Sequence, residues 1–157
     1  MVQSVRRFLV FQVFLLWQGG FLFYSAVVVP VGTDIHGARE QGLVTQEVTN
    51  WLNLAGAAWA AAFLWDVVAT PDPNRLRRRV RWAGWLVCVA LLAVLVGLHV
   101  ELDKLVDSGG RRWFLIVHGA YLWISTAQWV LGLVLAWTTL RAWSTESVPR
   151  AADRSSG

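Results

Sequence analysis

The sequence predicts an all-α, polytopic membrane protein, a four-transmembrane-helix up-down bundle with N and C termini cytoplasmic. Three observations lead there. Apolar residues come in four blocks, at about residues 8–30, 50–70, 82–101 and 113–140, each long enough for a helix to cross a hydrocarbon layer of about 30 Å. The chain is 56% hydrophobic and 15% charged, where a soluble domain carries about 25% charged residues. Arginines gather at the ends of the apolar blocks, which is the pattern of membrane topology and removes the need for nucleic acid as a partner.

Arg6 and Arg7 precede the first block. At about 1.5 Å per residue, 8–30 covers roughly 34 Å. A secretory signal has a shorter apolar core and a small-residue cleavage site, and no A-x-A follows this block, so it reads as an uncleaved span. It contains Trp17-Gln18-Gly19-Gly20. The glycines suit close approach of another helix, Gln18 suits a hydrogen bond inside the bundle, and Pro30 should end or kink the helix. Residues 31–49 are polar, with Gly32, Gly37 and Gly42 at five-residue spacing, and read as a loop with turns.

In the second block Asn50, Asn53 and Ala57 share a helix face, and Gly56/Ala60 and Ala57/Ala61 are small-xxx-small pairs of the kind found at tight helix contacts. Asp66, near the far end, is either an intramembrane functional acid or the partner of a nearby arginine. Residues 71–81 hold five arginines and two prolines and read as a tight basic loop, placed inside by its charge and also able to bind anionic headgroups. The third block is apolar apart from His99, with Cys88 at mid-span as a packing residue. The fourth exceeds one span and must tilt or emerge. Residues 1–143 form a single domain, and residues 144–157 are expected to be a disordered cytoplasmic tail.

The positive-inside rule orients the chain. With the basic loop inside, Arg6, Arg7, Arg75, Arg77, Arg78, Arg79, Arg81, Arg141, Arg150 and Arg154 are inside, and Arg39, Lys104, Arg111 and Arg112 outside. Trp51 and Trp113 then lie near the outer ends, and Trp65, Trp82, Trp85 and Trp137 nearer the inner ends, the levels that amphipathic rings favour. The expected location is the inner or plasma membrane of the cell, with multiple passes.

All three histidines fall on the outer side. His99 and His118 lie just below that surface on the third and fourth spans, and His36 lies in the first outer loop. Oxygen ligands are present at Asp34, Glu40, Glu101, Asp103 and Asp107, and His99 and Asp103 are four apart, on one helix face if the helix runs that far. His118, Tyr121, Ser125, Gln128 and Gly132 follow spacings of three and four. Such a polar stripe must face a bundle interior, where Gln18 and Asn53 are the natural partners. One reading is a metal site of His118, His99, His36 and Asp103, since imidazole suits zinc, copper and haem iron. Another is hydrogen bonding within the bundle, and a third is a proton or solute pathway. Phosphate-binding loop, GxSxG, HExxH and CxxC patterns are all missing, so nothing makes a positive case for an enzyme.

Two resemblances follow from these residues. Trp17-Gln18-Gly19-Gly20, the aromatic run after it, Pro30, His118-Gly119 and Ser125 resemble the first and last helices of the transmembrane-protein-205-like family. That likeness implies a compact four-helix membrane bundle. Trp17, Gly20 and Tyr24 resemble the tryptophan–glycine–tyrosine pattern of the HemJ and copper-resistance D type proteins, which implies haem or copper; here the first span has no histidine and the third no lysine. The functional expectation is a non-enzymatic accessory subunit or ligand-handling bundle with a polar site near the outer face. The alternative is a haem- or copper-binding redox protein. Partners are the lipid bilayer and other membrane subunits or further copies of the chain.

Overall fold

A computed structural model describes the backbone of residues 2–70, 72–108 and 111–147, and their side chains except 106–108, 111, 146 and 147. The expected tail from 148 onward and the Asp107 side chain lie outside the described residues. The described chain is almost entirely helical: α1 (Val2–Phe23), a π-helical turn (Tyr24–Val28), α2 (Val29–His36), α3 (Ala38–Ala69), α4 (Arg75–Ser108) and α5 (Arg111–Ser147). α1, the π turn and α2 form one continuous rod, so there are four rods, each long and apolar enough to cross a membrane. Contacts between α1 and α3, α3 and α4, and α4 and α5 set them in up-down order.

The helices run well past the apolar blocks. Residues 31–49 are not a loop: Gly37, at φ 86°, is the one break, and α3 starts at Ala38. Such a φ is left-handed, where glycine has no Cβ penalty. Gly32 lies inside a helix, where an added Cβ would meet the Gln41 side chain, so this glycine makes room for a contact and not for a turn. Pro30 does not end the helix either. Proline lacks the N–H of the ladder and crowds the carbonyl four residues back, and the π turn at Tyr24–Val28 covers that carbonyl at residue 26. A π turn relieves such a defect without breaking the rod.

The basic segment is also shorter than a loop over 71–81. α4 begins at Arg75, and Asn74 caps it, its side-chain oxygen accepting from the Arg77 N–H at 3.1 Å, as residues at that position commonly do. α4 continues through Glu101 to Ser108, and α5 runs to Ser147, into the segment expected as tail.

The core joins Phe14 and Trp17 of α1, Trp59, Phe63 and Val67 of α3, Cys88 of α4 and Leu135 of α5. Trp17 stacks on Trp59 with centroids 4.8 Å apart. It fits because two helices offer it a glycine. An added Cβ at Gly56 would lie 3.1 Å from the Trp17 ring nitrogen, and one at Gly132 2.8 Å from its six-membered ring. Gly84 likewise receives Leu135. The close-approach glycines are therefore these. Gly19 has nothing within 4 Å and Gly20 only Leu52 at 3.7 Å. Of the two small-residue pairs in α3, Gly56/Ala60 is buried and Ala57/Ala61 exposed.

Gly132→Ala should lower stability by about 1–3 kcal/mol, the usual cost of overpacking, whereas Gly19→Ala should leave it unchanged or raised. Thermal unfolding of the two variants in detergent micelles measures the difference.

Candidate functional site

Polar side chains collect at both ends of the bundle. At one end the carboxylate of Asp66, fully buried, receives Arg6 Nε at 3.1 Å, Arg81 Nη2 at 2.7 Å, the Trp143 indole N–H at 3.1 Å and the hydroxyl of Thr70 at 3.1 Å. Arg6 also donates to the Thr70 hydroxyl and the Ala69 carbonyl. The donors come from α1, α4, α5 and the residue following α3, so every rod contributes. Phe63 lies under the Arg81 guanidinium, 5.7 Å away. With its oxygens saturated by protein donors, Asp66 has no lone pair free for a substrate, and the cluster acts as a clamp. Next to it Asp72 holds Arg77 through both oxygens, and Arg77 reaches Thr145 on α5 at 2.8 Å. The Arg77 hydrogen bonds draw the Asp72 carboxyl below its ordinary value of 3.8, against the opposing effect of burial.

A second set of polar contacts lies at the other end. Tyr24 donates to Thr45 at 2.9 Å and accepts from Gln41, joining the first rod to α3. Gln46 on α3 donates to Asp103 on α4 at 2.8 Å. Lower down, the Trp85 indole of α4 donates to the Ala60 carbonyl of α3 at 3.0 Å, so this tryptophan points into the bundle. These two ties are separated by roughly 27 Å along α4 at 1.5 Å per residue. Between them α3 and α4 part, leaving a cleft of about 310 Å³. Its polar lining is Asn50, Asn53 and His99, and its apolar lining is Leu54, Ala57, Leu92, Val96 and Val100. Leu54, Val96 and Val100 remain about half exposed, so the cleft opens sideways.

His99 is buried, at 7% exposure, and its Nε2 has no hydrogen-bond partner among the described residues. Asp103 Oδ2 lies 3.9 Å from it, beyond hydrogen-bond length. An imidazole nitrogen donates or accepts according to tautomer, and a buried one without a partner is costly. Tyr121 lies across from the His99 ring at 6.5 Å between centroids.

The other expected site residues are dispersed. His118 is half-buried and stacks on Phe114 of its own helix at 5.6 Å. His36 is exposed at the end of α2. Of the stripe on α5, Ser125, Gln128 and Gly132 are buried, and Tyr121 is half-buried. Gln128 donates to the Cys88 carbonyl at 3.2 Å, Gln18 to the Trp129 carbonyl at 3.1 Å, and Ser125 to the Tyr121 carbonyl at 2.8 Å. Among the described residues no three His, Cys, Asp or Glu side chains converge to hold a metal ion, so His118, His99, His36 and Asp103 are not assembled into one site.

Sequence reasoning offered a nearby arginine as one partner for Asp66 but placed Arg6 and Arg81 only as markers of topology, and it missed Thr70 and Trp143. It also left the direction of His99 open. One signal for that existed: Arg81, Gly84, Cys88, Leu95 and His99 are spaced by three, four, seven and four, a single helix face, and all five are buried. Comparison with protein-family models, curated proteins and solved structures finds no match to this chain.

Asp66→Ala leaves two arginines buried without a counter-charge and should cost about 3–5 kcal/mol, read as a lower unfolding midpoint in detergent. Asp72 predicts a pH effect with a definite sign. Its folded pKa is depressed, so its contribution is complete above 3.8 and is lost as the pH falls through the lower folded value. The stability gap between wild type and Asp72→Asn should therefore be flat from neutral pH down to about pH 5 and close in more acid solution, as followed by unfolding at a series of pH values.

Proposed function

We propose that this protein is a non-enzymatic, multi-pass protein of the cell membrane that binds a small neutral amphiphile in the cleft between α3 and α4. The arginine-rich Asp66 end faces the cytoplasm in this reading, by the positive-inside rule, and the His99 cleft faces the outer leaflet. The observation that carries the reading is the cleft itself, whose lining includes His99, a buried residue whose Nε2 has no hydrogen-bond partner among the described residues. Its volume falls at the lower bound of ligand pockets, about 300–1,000 Å³. No charged side chain lines it, which selects against charged ligands because nothing there repays their desolvation. Asn50, Asn53 and His99 are the polar side chains of that lining, and leucine, valine and alanine side chains offer an apolar wall. A carbonyl- or hydroxyl-bearing head with a short apolar tail matches that lining, and the lateral opening gives it a route from the bilayer. Handling such a molecule, alone or as an accessory subunit, is the function that the geometry supports.

Protein purified in mild detergent should carry a small molecule in stoichiometric amount by native mass spectrometry. Ala57→Phe fills the cleft and should abolish it, and His99→Leu should reduce occupancy about tenfold, the worth of one hydrogen bond. Equal occupancy in all three proteins, or an empty wild type, contradicts the proposal.

A further inference from the structure

The five arginines at the start of α4 do not act as one charge patch. Helical spacing divides them. Arg77 and Arg81, four apart, turn into the bundle and are neutralised by Asp72 and Asp66. Arg75, Arg78 and Arg79 are exposed, and no ion pair joins them to any carboxylate among the described residues. At 100° per residue, Arg75, Arg79, Trp82 and Leu86 fall within an arc of about 60°, and Arg78 flanks it by about 40°. Trp82 is 39% and Leu86 59% exposed. Along this face, away from the end of the bundle, the order is guanidinium groups, then an indole, then aliphatic surface.

That order matches the layers of a bilayer leaflet: charged headgroup, interface, hydrocarbon. We infer that the outward face of α4 formed by Arg75, Arg78, Arg79 and Trp82 binds an anionic phospholipid headgroup. The guanidinium groups take the phosphate oxygens, for which their planar array of donors is suited, and the indole covers the glycerol region below. Charge complementarity identifies the occupant, and the apolar continuation through Trp82 and Leu86 separates it from nucleic acid, which would meet arginines without an adjoining apolar stripe. The two inward arginines belong to the clamp and take no part. This surface is separate from the His99 cleft at the other end of the bundle, and neither proposal depends on the other.

The test uses the full chain in detergent with equal amounts of dioleoyl-phosphatidylglycerol and dioleoyl-phosphatidylcholine, counting retained lipids by native mass spectrometry. Wild type should retain phosphatidylglycerol in preference by on the order of tenfold. The triple variant Arg75→Gln, Arg78→Gln, Arg79→Gln should lose the preference with helicity and unfolding midpoint in phosphatidylcholine unchanged. Arg39→Gln, at the other end of the bundle, should keep it. A wild type without preference, or a triple variant that retains it, overturns the inference. If the triple variant does not fold, a salt titration of wild type decides. A preference that fades between 50 and 500 mM salt, as about threefold shorter screening lengths require, supports the site, and one indifferent to salt contradicts it.

Discussion

The carboxylate of Asp66 is the constraint around which the bundle closes. A fully buried charge is stable only with opposite charge and hydrogen bonds at good geometry, and still more so where the surroundings are apolar. Its donors are Arg6 near the start of the first rod, Arg81 near the start of the third and Trp143 near the end of the fourth, with Thr70 just past the second. Up-down order is what brings those four positions to one level. A shift of the first, second or third rod by one turn, about 5.4 Å, would leave a guanidinium or the carboxylate buried without its partner, and a shift of the fourth would remove the Trp143 indole. The ion pairs therefore contribute register more than net attraction, the use for which buried charge is best attested.

Apolar packing then fills the middle by shape. Trp17 reaches Trp59 because Gly56 and Gly132 leave it room, and Leu135 reaches α4 because residue 84 is glycine. These contacts lie toward the Asp66 half. Among the described residues, the next side-chain hydrogen bond between α3 and α4 beyond Trp85–Ala60 is Gln46–Asp103, and the interval between is the cleft. The end away from Asp66 is where a buried histidine nitrogen lacks a partner among the described residues.

The helical class and the four apolar blocks were legible because each block satisfies the length and polarity of a span. The ends of the helices were not. Polarity in residues 31–49 marks where the chain becomes polar, yet Ala38 to Asn50 is still helical, since hydropathy reports the solvent and not the backbone. Arg6, Asp66 and Arg81 each stood out singly, but their meeting spans sequence separations of 60 and 15, which no local periodicity encodes. The shared face of Asn50, Asn53 and Ala57 was readable from spacing, and all three line the cleft. The matching face of α4, from Arg81 to His99, was concealed because its members have little chemistry in common. Equal depth drew attention to a His99–His118 pair, but helix rotation turns His99 toward Tyr121 and His118 onto Phe114.

The central claim is that one end of this bundle is a closed electrostatic clamp and the other an open site completed by a ligand. An experimental structure of the protein in a lipid nanodisc, resolved well enough to show side chains around His99, tests it most directly. The account predicts ordered non-protein density between α3 and α4 with a polar atom within hydrogen-bond distance of His99 Nε2. A cleft closed by the protein's own side chains, with that nitrogen bonded to one of them, would contradict it.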